Sequence, residues 1–203
     1  MLALNMRLSS RYPQSGFTLI ELIFTIAIAV VLMAVAVPSF IGFQRNSELT
    51  SVTNSLISAT NAARAEAMKT GMNAFVVPTA NGNDWSAGWV VFVDRDRDNS
   101  YSAASDTTVL AQGAIASYLS ITGTGNAALS TAPYIMFDNS GYAKSYGTTP
   151  GVPNLTLSIA RNDVPSAQTA TETRRVVVAR TGRARSCRPT SSSDTSCSAS
   201  TAD

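Results

Sequence analysis

The chain has 203 residues, enough for one domain of usual size and an N-terminal anchor, and it shows no internal repeat. Its 15 basic and 13 acidic residues nearly balance, so the informative charge is local. There is no histidine, which removes the commonest general base and the commonest metal ligand.

Residues 1–16 form a basic leader, with Arg7 and Arg11 and no acid. Without it the remaining chain carries 13 residues of each sign. From Phe17 to Val37 run 21 residues in which only Glu21 is charged, and Pro38 follows. About 20 apolar residues span a bilayer as a helix. The flanking arginines hold the leader on the cytoplasmic side. Three readings of this stretch compete. A cleaved secretory signal has the Ala34-Val35-Ala36 site in its favour, but its apolar region is shorter, about 7–15 residues, and carries no carboxylate. A plain signal anchor explains the length and leaves Glu21 unexplained, since an ionisable group inside lipid usually has a partner.

The third reading rests on Gly16-Phe17-Thr18-Leu19-Ile20-Glu21-Leu22. This segment resembles the leader motif of type IV pilins and type II secretion pseudopilins. The resemblance implies cleavage after Gly16 by a prepilin peptidase and N-methylation of Phe17. It also implies an assembly role for Glu21, whose carboxylate would meet the new amine of its own or a neighbouring helix. A carboxylate is favoured near a helix N-terminus, and an ion pair leaving lipid can select register.

The helix is expected to continue past Pro38, a kink point. Leu49, Val52, Leu56, Ala59 and Ala63 follow the 3,4 spacing of a packed helix, and Lys69 and Gly71 are stop signals. The small residues Ala59, Ala62, Ala63 and Ala67 point to close packing on a sheet. The divisions expected are a leader over 1–16, a membrane segment over 17–38, its helical continuation over 39–71 and a β domain over 72–203.

After Gly71 the pattern becomes that of short strands. The expected strands are 74–77, 85–94, 107–110, 115–121, 134–138, 155–161 and 175–179, with a turn cluster at Asn81-Gly82-Asn83-Asp84. With no helix between them, they should pair antiparallel. The fold class is α+β: a long N-terminal transmembrane and amphipathic helix packed on a C-terminal antiparallel β domain, as in type IV pilins. Trp85-x-x-Gly88-Trp89-Val90-Val91-Phe92-x-Asp94, Ile135-Met136-Phe137 with Gly141, and Gly182-Arg183-Ala184-Arg185 resemble the GspH/FimT group of minor pilins and pseudopilins.

Three places invite chemistry. Asp94, Asp96 and Asp98 are spaced as at the start of a calcium loop, but Asn99 and Ser105 stand where the glycine and glutamate belong. With Arg95 and Arg97 between the acids, a solvated turn is the better reading, and no metal or cofactor is expected. Cys187 and Cys197 enclose nine Ser- and Thr-rich residues, and in an exported chain they should form a disulfide. No Cys–His pair is available, so no catalytic residue is expected.

Third, six arginines and no acid lie between Arg174 and Arg188. Arg174 and Arg175 read as charges guarding an edge strand. Arg180, Gly182, Arg183, Arg185 and Arg188 allow a second reading, because guanidinium forks suit phosphate oxygens. Some FimT-type minor pilins carry a Gly-Arg-x-Arg motif near the C-terminus that is associated with DNA capture in natural transformation. Here the match is Gly182, Arg183 and Arg185. A double-stranded DNA site and a purely structural use both remain open.

Together these features imply a non-enzymatic, single-pass protein of a bacterial inner membrane. Its β domain would lie in the periplasm and later in a filament at the cell surface, in contact with other pilins or pseudopilins. A type IV pilus and a type II secretion system share all the N-terminal features, so both stand.

Overall fold

The computed structural model describes residues 16–79, 83–146, 154–191 and 193–197. The leader up to residue 15 and Asn81-Gly82 lie outside the described residues. One helix, α1, runs Leu19–Thr70 and continues through Pro38. The chain divides into two units, Met1–Gln44 and Arg45–Asp203. In the first, the apolar side chains from Phe17 to Phe43 are exposed along the helix, which is long and apolar enough to cross a membrane.

The second unit holds the rest of α1 and nine strands: β1 (Ala74–Pro78), β2 (Trp89–Val93), β3 (Thr107–Gln112), β4 (Leu119–Gly123), β5 (Ile135–Phe137), β6 (Ala143–Lys144), β7 (Leu155–Arg161), β8 (Thr173–Val178) and β9 (Ala184–Cys187). They form two antiparallel sheets, ordered β3-β2-β1-β5-β6 and β4-β7-β8-β9. Both contribute to one core with Leu49, Leu56, Ala59, Ala63 and Ala67 of α1. The alanines let backbones approach closely. Thr53 and Thr60, also buried there, donate their hydroxyls back to the Leu49 and Leu56 carbonyls at 2.7 and 2.8 Å, which satisfies them without a partner across the core.

Alternation along β1 and β2 sends Ala74, Val76, Val91 and Val93 into that core and Phe75, Val90 and Phe92 to the other face. There Phe75 stacks on Phe92, with centroids 5.2 Å apart, and Tyr134 on Tyr146 at 4.4 Å.

Several expected strands change. Trp85–Ala87 is a single 3-10 turn whose N-cap, Asp84, accepts from the Ser86 amide, so the strand begins only at Trp89. The turn buries Trp85 and brings its indole N–H to the Ala127 carbonyl at 2.9 Å. The strand expected from Ile115 starts at Leu119. Ala184–Cys187 forms β9, a strand beyond those expected.

An ion network ties α1 to the second sheet. Arg161, at the end of β7, has a side chain only 9% exposed and binds Asp163 through both Nε and Nη2, at 3.0 and 2.9 Å. Its Nη1 reaches Glu172 at 3.1 Å. Arg45 of α1 donates to the same Asp163 and lies 4.9 Å over the Tyr118 ring, and the Tyr118 hydroxyl donates to Glu48. Arg161 above all, then Arg45, hold the Asp163 carboxyl down at about 2.

Candidate functional site

At the N-terminus, Thr18 and Glu21 cap each other. The Thr18 amide and hydroxyl donate to Glu21 Oε2 at 2.9 and 2.8 Å, and the Glu21 amide donates back to Thr18 Oγ1 at 3.3 Å. This is a capping box. Its Thr-x-x-Glu signal stands in the sequence, and it adds a reciprocal cap to the helix-end and amine-pairing readings of Glu21. Gly16 and Phe17 lie exposed just before it.

At the C-terminus the sheet edge organises the arginines. After β8, Ala179–Arg183 form a tight turn: the Ala179 amide donates to the Arg183 carbonyl and the Gly182 amide to the Ala179 carbonyl, both at 2.9 Å. Gly182 has φ +79, and a Cβ built on it would stand 1.9 Å from the Gly141 carbonyl oxygen and 2.9 Å from Arg64 Nε. Arg64 Nε in turn donates to that carbonyl at 3.0 Å, and the Ala143 amide donates to the Arg180 carbonyl at 3.0 Å. The glycine of the Gly-Arg-x-Arg motif therefore has a packing reason: two turns and α1 meet at it, and only glycine leaves room there.

The five residues grouped by sequence do not form one cluster. Arg180 and Arg183 sit exposed on the turn, and among the described residues their guanidinium groups have no hydrogen bond or ion pair. Arg185 lies in β9 opposite Val177, half-buried on the outward face, where Nη2 approaches the Ser196 carbonyl at 3.5 Å. Arg188 lies past the other end of β9, about 13 Å of strand away. There its Nε donates to the Thr171 carbonyl at 2.8 Å, beside Arg174, which donates to the carbonyls of Thr171 and Thr173 at 3.2 and 3.0 Å. Burial first, and then the Arg188 charge, lower the Arg174 pKa. The arrangement is a stripe along an edge strand, with its free cations at the turn.

Sequence reading missed two further cations at that turn. Arg64 is set by its bond to Gly141. Lys144 of β6 is exposed, 3.5 Å from Asp138 and 6.0 Å from the Tyr142 ring centre. No sequence signal links Arg64 or Lys144 to Arg180, because the link is the contact between two turns distant in the chain.

Cys187 and Cys197 are joined, with Cα atoms 5.7 Å apart. The loop they close is fastened twice more. Arg175 Nη1 donates to the Asp194 and Cys197 carbonyls at 3.0 and 3.2 Å. Inside the loop the Asp194 carboxylate accepts from the amides and hydroxyls of Thr190 and Ser196, which holds its pKa well below the usual carboxylate range.

In the acidic turn, Asp94, Asp96 and Asp106, rather than Asp98, bring carboxylate oxygens within 4.8 Å of one another. Asp94 accepts from the amides of Arg97 and Asn99, which both have positive φ, and Asp106 accepts from those of Arg95 and Ser102. The acids shape the loop, and burial raises the Asp94 pKa.

Residues 52–182 match the family model described as Type II transport protein GspH, and residues 11–37 match the prokaryotic N-terminal methylation motif. Two crystal structures of the type IV minor pilin FimU of Pseudomonas aeruginosa resemble this fold. One is 19% identical, covers 70% of this chain and 90% of that one, and has a TM-score of 0.52; the other is 17% identical, covers 68% and 91%, and scores 0.50. The minor pseudopilin EpsH of the Vibrio cholerae type 2 secretion system is 18% identical over 71% of this chain and 99% of that one, with a TM-score of 0.43. No curated protein matches the chain.

Proposed function

The chain belongs to the GspH family of type II transport proteins, and from that premise we propose that it serves a type IV pilus as a minor pilin whose β8–β9 edge holds DNA. That it is a minor pilin or pseudopilin of a pilus- or secretion-type filament follows from the family and the methylation motif. Prepilin peptidase cuts after Gly16 and methylates Phe17, and the apolar part of α1 anchors the chain in the inner membrane with its β domain in the periplasm. Glu21, already the cap of the helix, stands one turn from the new amine and pairs with it or with a neighbour's during assembly. The role is structural and no catalysis is assigned to the chain.

The observation that carries the DNA reading is the pair of exposed guanidinium groups of Arg180 and Arg183, which have no partner among the described residues. A structural arginine is one that has found its carbonyls, as Arg174 and Arg175 have. The turn cations suit a phosphate backbone and read no bases. The test is fluorescence anisotropy of a labelled DNA duplex with the full chain in mild detergent, across a salt series. Binding is expected at Kd on the order of 10⁻⁴–10⁻⁶ M. Arg180→Gln/Arg183→Gln should make the slope of log K against log salt shallower by about 2. Arg174→Gln, whose guanidinium is committed to carbonyls, should leave the slope unchanged. Equal binding by the double variant and the wild type refutes the DNA site.

The family description favours a second reading, a pseudopilin acting in protein secretion. Deleting the gene separates the two: loss of DNA uptake with normal secretion supports the pilus, and the reverse supports secretion.

A further inference from the structure

The two sheets have four edges, and three of them are closed. The Ser86 turn covers β4: its hydroxyl oxygen accepts from the Ile121 amide at 3.1 Å and its carbonyl from the Ile115 amide at 3.0 Å. The Arg180 turn meets β6 through the Ala143 amide. β9 carries Arg185 and is flanked by Arg183 and Arg188, charges that discourage strand addition. The fourth edge is β3. It is six residues long, Thr-Thr-Val-Leu-Ala-Gln, and contains no charge and no proline. Among the described residues its backbone hydrogen bonds go only to β2. Thr107, Thr108 and Ala111 are exposed. The neutrality extends well past the strand, since from Thr107 to Phe137 the chain has no charged residue at all.

An edge of about 20 Å with free amides and carbonyls is a template for another strand, and proteins normally blunt such edges. This chain blunts three and leaves one. We propose that β3 is a docking edge, and that its occupant is an uncharged, extended strand of a different subunit of the same filament, added to the first sheet by main-chain hydrogen bonds. The inference rests on the filament reading.

Symmetry decides against a second copy. Two β3 edges pair antiparallel about a two-fold axis, which makes a closed dimer. A filament needs head-to-tail contacts between unlike surfaces. Among the described residues the other three sheet edges are covered or charged, so none is suited to receive β3. The neutral stretch also sets the partner's chemistry, because a charged strand would lose its hydration against Val109, Leu110 and Ala111 with nothing to pair with.

The test places a photo-crosslinking amino acid at Ala111 of the full chain in its own host, with a second version at Val31 in the apolar helix as the filament control. Ala111 is expected to crosslink to an uncharged extended segment of another filament subunit, identified by mass spectrometry of the joined peptides. Thr108→Lys together with a crosslinker at Gln112 should reduce that product at least tenfold, with the Val31 product and the thermal melting curve unchanged. A Val31 product without an Ala111 product overturns the docking edge. So does an Ala111 product with a second copy of the chain, or with a helix or charged surface of a partner. Silence at both positions overturns the filament reading and the edge pairing with it.

Discussion

Asp163→Asn tests whether the ion network fastens α1 to the second sheet through charge or merely decorates it. Asp163 accepts both ends of the Arg161 fork and is also bound by Arg45. Its carboxyl is depressed from an ordinary 3.8 to about 2. At about 1.4 kcal/mol per pH unit this sets an upper limit near 2.5 kcal/mol. The Asp163 side chain is 18% exposed and that of Arg45 38%, so solvent screens part of it; about 1.5–2 kcal/mol should be lost at pH 7. The sign follows from linkage. A folded value below the unfolded one means that the stabilisation is complete above pH 4–5, by about one unit over the ordinary value, and is lost as pH falls through about 2. Urea unfolding in mild detergent, followed by the near-ultraviolet circular dichroism of the buried Trp85 and Trp89, measures both proteins at pH 7, 4 and 2. The gap should close at the lowest pH. A gap below about 0.5 kcal/mol at pH 7 would make this an ordinary surface pair. A gap that stays constant down to pH 2 would trace the loss to packing, and either result refutes the reasoning.

Gly182→Ala should lower stability by about 2–4 kcal/mol in the same assay. The substitution places a Cβ against the Gly141 carbonyl at positive φ, which combines overpacking with left-handed strain. Because the fault is steric, Gly182→Ala should weaken DNA binding only in step with unfolding, whereas Arg183→Gln should weaken it at full stability. Cys187→Ser/Cys197→Ser should cost about 3 kcal/mol by loop entropy for a loop of this length. It should also raise hydrogen exchange at Thr190 and Ser196, whose amides Asp194 holds.

The α1 stripe, the core strands and the disulfide were legible because each leaves a local mark. Leu49, Leu56, Ala59 and Ala63 recur at helical spacing, β7 alternates cleanly, and the two cysteines of the chain need only each other. What escaped depends on contacts between distant segments. β9 has no apolar alternation, since Ala184 and Arg185 are both half-buried and Ser186 is exposed; its partner β8 makes it a strand. Trp85 reads as a strand residue by composition, yet Asp84 caps a turn there and the Ala127 carbonyl captures the indole. Arg161, the least exposed charged side chain of the ion network, drew no notice because its partners' convergence requires the β7–β8 connection to fold back.

The arginine run shows why a motif and a site differ. In sequence, Arg180, Arg183, Arg185 and Arg188 fall within nine residues and invite one role. A tight turn followed by a strand separates them by position. Turn residues project into solvent, one strand residue faces outward, and the last meets a carbonyl beyond the strand end. Among the described residues the free cations of the run are the two at the turn, and the Ala143 amide, which meets the Arg180 carbonyl, makes the exposed Lys144 the next residue along from that contact. Lys144 is therefore a sharper probe of the DNA reading than Arg188. Lys144→Gln should lower the salt slope by about 1 if phosphate lies along the turn, while Arg188→Gln should leave it near the wild-type value. The reverse order would move the site to the far end of β9, where Arg174 and Arg188 share the Thr171 carbonyl.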